Sequence, residues 1–221
     1  MDRLECIIEE IRAEFVAKSA VRDAALPRSR ELIRYCANAI RAAHRGEFSD
    51  AEMILATAAA AAREMVADLE PYPDLYHAGY TQDALKEYVE ARLVFAFIME
   101  SRSEVEWTTA EIPGPAQLGV EAPAYLNGLA EAASEMRRHC LDLMRQNRLE
   151  RAEEILAIMD DVYTQLMSMD FPDAITGGLR RNTDMLRGVV ERTRGDLTTA
   201  IRQEMMRRAL GELEVRLGLK L

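Results

Sequence analysis

Carboxylates at helical spacing are the residues of this chain best suited to chemistry. Glu87 and Glu90 stand three apart, so on a helix both project from one face, and that face continues as Val94 and Phe97. An ionised carboxylate at the head of an apolar stripe is costly unless a donor or a cation compensates it, and a divalent metal ion does this well. Glu131 and Glu135 stand four apart and also share a face, nearly opposite the apolar stripe of their own helix. Taken alone, this second pair reads as solvated surface. The chain has 38 acidic residues, mostly on long helices, so such pairs also arise by chance and spacing leaves both readings open. Ligation by carboxylates alone would select Mg2+ or Mn2+ over zinc.

Other chemistries find little support. The sequence has no glycine-rich phosphate loop, no Gly-x-Ser-x-Gly elbow and no His-Glu-x-x-His. His44, His77 and His139 form no Glu-x-x-His motif of the kind a di-iron bundle needs. Cys6, Cys36 and Cys140 are scattered and include no CxxC pair, and Cys140 falls on a buried stripe as a small core residue. These thiols suit a reducing compartment. The start, Met1 to Glu5, lacks a signal-peptide layout, and no run approaches the roughly 18 apolar residues of a membrane span, so a cytoplasmic protein without membrane contact is expected.

The net charge of −10 argues against indiscriminate binding to nucleic acid, but it is unevenly spread. Residues 71–175 carry 19 acidic and 8 basic groups, whereas residues 176–221 carry 6 and 10. Between Lys18 and Arg45 seven basic residues, among them Arg22, Arg30, Arg34 and Arg41, stand against Asp23 and Glu31. That stretch could meet phosphate or be a solvated helix face.

The elements that must position these groups are all helices, because apolar residues recur at helical spacing and nowhere in sustained alternation. A composition with 49% hydrophobic residues, 6% aromatics and few glycines and prolines agrees with an all-α chain. The pattern predicts a helix from about Asp2 to Arg45 with a kink expected near Pro27, and one opening at the capping-box spacing of Ser49 and Glu52 and running to about Leu69. A third spans about Thr81 to Ser101. A second capping-box spacing at Thr108 to Glu111 opens one or two turns, and Pro113, Gly114, Pro115, Gly119 and Pro123 then mark a loop. Helices from about Pro123 to Gln146 and Leu149 to Met169 follow. Asp170-Phe171-Pro172 and Gly177-Gly178 bracket a turn, and two closing helices cover about Leu179 to Arg194 and Asp196 to Leu217. Long helices joined by short turns suit a single antiparallel bundle over residues 1–221. The near-continuous apolar run Leu93, Val94, Phe95, Phe97 and Ile98 suggests more apolar surface than one bundle can take, and hence a homo-oligomer.

Leu85-Lys86-Glu87-Tyr88-Val89-Glu90-Ala91, with Tyr125 to Glu131, Ser134-Glu135-Met136 and Cys140, resembles the catalytic signature of TRAX, translin-associated factor X, in the translin/TRAX family. Ser29-Arg30-Glu31 and His44-Arg45 match as well, while Arg92-Leu93-Val94-Phe95 looks more like translin itself. The resemblance spans roughly residues 20 to 217. It implies an α bundle of about seven helices, a hollow octamer, and a Mg2+-dependent (or Mn2+-dependent) endoribonuclease site with its four acidic positions on Glu87, Glu90, Glu131 and Glu135. Where TRAX has an aspartate this chain has Glu131, one methylene longer. In a hollow assembly the face carrying Glu131 and Glu135 would line an enclosed cavity.

The basic residues that translin carries before its Arg-Leu-Val-Phe segment are unmatched, since Thr81, Gln82, Asp83 and Leu85 stand there. Arg22, Arg30, Arg34 and Arg41 are therefore the candidates for nucleic-acid contact. The function implied is cleavage of single-stranded or loosely paired RNA, in a homo-oligomer or beside a translin-like partner subunit. The alternatives are a non-catalytic oligomer that binds RNA or single-stranded DNA, as translin does, and a purely structural helical scaffold.

Overall fold

In a computed structural model, which describes residues 3–100 and 112–217, the chain is built from helices, with no strand among the described residues. Six long helices, α1 (Arg3–Arg45), α2 (Phe48–Leu69), α4 (Gly79–Glu100), α6 (Ala122–Arg145), α7 (Leu149–Met167) and α9 (Leu179–Arg216), are joined through three single turns, α3 (Pro73–Tyr76), α5 (Pro115–Leu118) and α8 (Asp173–Thr176). The centre of the bundle is the pair α4 and α6. On one side α1 packs on α2 and α4, and on the other α7 and α9 pack on α6 and on each other. No described helix is long and apolar enough to cross a membrane.

Several boundaries differ from expectation for identifiable reasons. The expected helix through Pro27 is present: that residue lies inside α1 and is exposed, where the carbonyl it leaves without a partner can meet water. Ser49 is not a cap: α2 begins at Phe48 with Glu47 at its N-cap, and the Glu47 carbonyl accepts from the Ala51 amide at 2.9 Å. The proline-rich breaks hold α3 and α5 because proline is well suited to the first turn of a helix, where its missing N–H costs nothing. The expected turn at Gly177-Gly178 is present, both glycines taking positive φ between α8 and α9. The two expected closing helices are one, since Gly195 sits inside α9 among the buried Val190, Thr193 and Leu197, and a single glycine costs only about 1 kcal/mol. The capping box at Thr108 to Glu111 lies outside the described residues.

The core takes up the apolar run of α4 within one chain. Leu93, Val94, Phe97 and Ile98 are all at or below 1% exposure, because α1, α2 and α6 surround that helix. That run is therefore no reason to expect assembly. Unpartnered apolar surface lies elsewhere. The first half of α1 carries exposed Leu4, Ile7, Ile8, Ile11, Phe15 and Val16 with nothing buried before Ala25, and the last half of α9 carries exposed Met205, Met206, Leu210 and Leu213 beyond Leu197. The first set recurs at positions of one helix face, so two long amphipathic arms extend past the bundle core.

Candidate metal centre

The carboxylates sit along the seam where α4 meets α6. Their registration rests on Gly128, whose missing Cβ would lie 2.7 Å from the Lys86 carbonyl oxygen and 2.7 Å from the Val89 Cβ. Such distances are closer than real Cβ atoms allow, so only glycine lets the two backbones meet there. One turn on from that contact, Glu131 of α6 comes to Glu87 and Glu90 of α4, and one oxygen of each lies within 4.8 Å of the others. All three side chains are partly buried.

The three acids are unequal. Burial pushes the Glu90 carboxyl up to about 8, and the neighbouring charges of Glu87, Glu131 and Glu135 push the same way, with Lys86 opposing. Glu131 is held by Lys86, whose Nζ donates to both of its oxygens at 2.7 and 2.6 Å and lies 3.4 Å from Glu87. Burial works against the Lys86 charge, but the hydrogen bond and charge of Glu131, and then of Glu87, outweigh it and hold the ammonium above its ordinary pKa. Beneath the seam, Cys36 of α1 is fully buried, and its thiol is raised first by burial and then by Glu87 and Glu90.

Glu135 belongs to the same field but not to the triad. His44 Nε2 donates to its Oε1 at 3.0 Å, and that imidazole is 1% exposed. His44 Nδ1 is buried without a hydrogen-bond partner. The His139 ring lies 6.4 Å from the His44 ring, and burial, followed by the charges of His44 and Arg148, lowers its pKa to about 4. A second set of contacts ties the seam to the α8–α9 turn. Asn127 Nδ2 donates to the Thr176 carbonyl at 2.8 Å, while Asn182 Nδ2 donates to Asn127 Oδ1 at 2.9 Å and approaches Glu131 Oε1 at 3.4 Å. Beside the triad a cavity of about 460 Å3 is lined by Lys86, Glu131, Asn182, Arg181 and Gln82, among others.

The donor set suits a hard divalent cation. Each member of the triad offers carboxylate oxygen, and partial exposure leaves room for the waters that Mg2+ retains. Neither a histidine nor a cysteine joins the triad among the described residues.

The expected arginines stand on α1. Arg30, Arg34 and Arg41 fall within roughly 40° of one another around the helix, and Arg22 lies about 80° from Arg30. All four are exposed. Arg22 pairs with Asp23 at 3.2 Å, Arg34 with Glu31 at 2.9 Å, and Arg41 donates to Asn38 at 2.5 Å.

Sequence reasoning assigned no role to Lys86 or to the Glu135 partner His44, although both lie in the stretches that carry the resemblance, and it did not point to Asn182. Lys86 was within reach, because it stands four residues before Glu90 on the same face. Asn182 and His44 act across 51 and 91 residues, and no local pattern reports such contacts.

Comparison with known proteins gives this arrangement a family context. An uncharacterised protein of Methanocaldococcus jannaschii, MJ0175, is 28% identical over 99% of this chain and 91% of its own. The crystal structure of AfC3PO superposes with a TM-score of 0.75 at 29% identity, covering 90% of this chain and 98% of that one. A structure of AfC3PO with duplex RNA superposes with a TM-score of 0.69 at the same identity and coverage. Apo-NeC3PO, at 20% identity, shares the fold with a TM-score of 0.76 over 87% of this chain and 96% of its own. The Translin family model matches residues 26–193, well over half of the sequence, and the chain therefore belongs to the translin family.

Proposed function

We propose that this chain is a TRAX-like, Mg2+-dependent (or Mn2+-dependent) endoribonuclease that cleaves single-stranded or loosely paired RNA inside an oligomeric shell. The observation that carries the reading is the convergence of Glu87, Glu90 and Glu131 on one point between two packed helices. The Glu90 carboxyl is raised first by burial and then by the charges of Glu87, Glu131 and Glu135, a perturbation of the kind that gathers at functional sites. RNA as the ligand follows from the family and from the neighbour solved with duplex RNA. Two apolar arms, on α1 and α9, are the surfaces that other copies, or a translin-like partner, would cover in an octamer.

Glu87, Glu90 and Glu131 would hold the cation. When bound, such an ion polarises a phosphoryl oxygen and lowers the pKa of water. Glu90 must give up its proton to become a ligand. Glu135, anchored through Oε1 by His44, keeps Oε2 free to accept the proton of a water attacking phosphorus as the bond to the leaving ribose oxygen breaks. Arg22, Arg30, Arg34 and Arg41 would supply positive charge for the RNA backbone.

One observation favours the non-catalytic alternative, an oligomer that only binds RNA or single-stranded DNA: Lys86 already neutralises Glu131. Incubating labelled single-stranded RNA with the protein, with and without Mg2+ and beside Glu90→Gln, separates the two. Cleavage that needs the ion and the carboxylate supports the nuclease. Binding without cleavage supports the alternative.

A further inference from the structure

Lys86 stands between two features of the molecule. Its ammonium rests on both oxygens of Glu131 and near Glu87, and the side chain also lines the 460 Å3 cavity, with Glu131, Asp83, Arg181 and Asn182. A cation entering the triad must share Glu131 with an ammonium already seated on both of its oxygens. Two positive charges a few ångströms apart in a partly buried seam repel strongly. An anion entering the cavity meets the same ammonium together with Arg181, while Asp83 and Glu131, which also line it, oppose the anion until Lys86 turns toward it.

We propose that Lys86 is an internal competitor for the divalent ion, which holds the triad in a weakly binding state until a phosphate of the RNA, entering the adjacent cavity, draws the ammonium away from Glu131. This rests on the metal-dependent reading above and goes beyond it by making metal and RNA bind cooperatively through one side chain. Linkage requires the coupling to be reciprocal: whatever factor RNA adds to metal affinity, the metal adds to RNA affinity. The cavity and the triad share Lys86 and Glu131, so no long-range change of shape is needed. Only the ammonium moves, over the length of its own flexible stem.

The test measures Mn2+ binding directly, by the electron paramagnetic resonance of free Mn2+, in the full-length chain with and without a short 2′-O-methyl oligonucleotide that resists cleavage. Binding by the oligonucleotide alone is subtracted. Lys86→Gln should bind Mn2+ at least about tenfold more tightly than the unmodified protein, Lys86→Met should behave the same way, and Lys86→Arg, which keeps the charge, should not. The oligonucleotide should tighten Mn2+ binding several-fold in the unmodified protein and little in Lys86→Gln. Mn2+ binding that disappears in Glu90→Gln yet is indifferent to Lys86→Gln would overturn the competitor while leaving the metal centre standing. Absence of Mn2+ binding in both the unmodified chain and Lys86→Gln would overturn the metal centre and the competitor together. Circular dichroism of each variant shows whether the bundle is intact.

Discussion

The seam between α4 and α6 and the outer face of α1 begin from the same rule and end differently. Each carries charged residues at helical spacing: Glu87, Glu90, Glu131 and Glu135 on the first, Arg30, Arg34 and Arg41 on the second. On α1 no second helix closes over the arginines, which stay in solvent, and Arg34 and Arg41 bond to neighbours on their own helix. At the seam a second helix approaches to the limit that Gly128 sets, and like charges are brought together in a partly buried site. Spacing places charge on a face, and the neighbour decides whether that charge becomes a site or a solvated surface.

The sharpest test of this contrast is pH. The Glu90 carboxyl lies near 8 in the folded chain against an ordinary value of 4.5, so folding favours its protonated form. The stability this contributes is complete below pH 4.5 and is lost as pH rises through about 8. At about 1.4 kcal/mol per unit, the metal-free protein should lose up to a few kcal/mol across that window. Chemical denaturation from pH 5 to 9 should show the loss, Glu90→Gln should remove it, and Mg2+ should offset it. No exposed arginine of α1 should give such a profile.

Cleavage comes next. Glu135→Ala should lower it at least about a hundredfold, roughly 2.7 kcal/mol of transition-state stabilisation, with oligomer and RNA affinity retained. His44→Ala should lower it less, since Glu135 keeps its carboxylate and loses only its anchor. Equal, small effects would place Glu135 outside the chemistry.

Separating the helices tests the seam mechanically. Gly128→Ala inserts a methyl group where the Lys86 carbonyl and Val89 already stand, and should destabilise the fold by about 1–3 kcal/mol in urea while weakening Mn2+ binding. A stable Gly128→Ala protein with unchanged Mn2+ affinity would mean that the close approach does not set the site.

On α1 the effects should be the smallest. Changing Arg30, Arg34 and Arg41 singly to Gln should alter stability by no more than about 0.5 kcal/mol. Each should weaken RNA binding modestly and reduce the slope of log affinity against log salt by about one. An unchanged slope would leave them as solvated surface.

This contrast also explains what the sequence could and could not disclose. Five of the six long helices, α1, α2, α4, α6 and α7, and both carboxylate pairs follow from periodicity, because residues three and four apart must share a face. The meeting of Glu131 with Glu87 depends on a docking register that one glycine permits, and no spacing within either helix reports it. The face of α6 opposite its apolar stripe reads as solvent only if α6 has neighbours on one side, whereas α4, α7 and α9 all pack on it. The break expected at Gly195 failed because a glycine with buried residues on both sides in helical phase costs too little to end a helix.

The central claim is that the α4–α6 carboxylates run a metal-dependent cleavage, and the most direct measurement compares the unmodified protein with Glu90→Gln on labelled single-stranded RNA, with Mg2+ and with chelator, both proteins shown to be folded and equally assembled. The account predicts cleavage only in the presence of the ion and a loss of at least about a hundredfold in Glu90→Gln. Full cleavage by Glu90→Gln, or RNA bound but left intact by the unmodified protein with Mg2+ and Mn2+ alike, would contradict it.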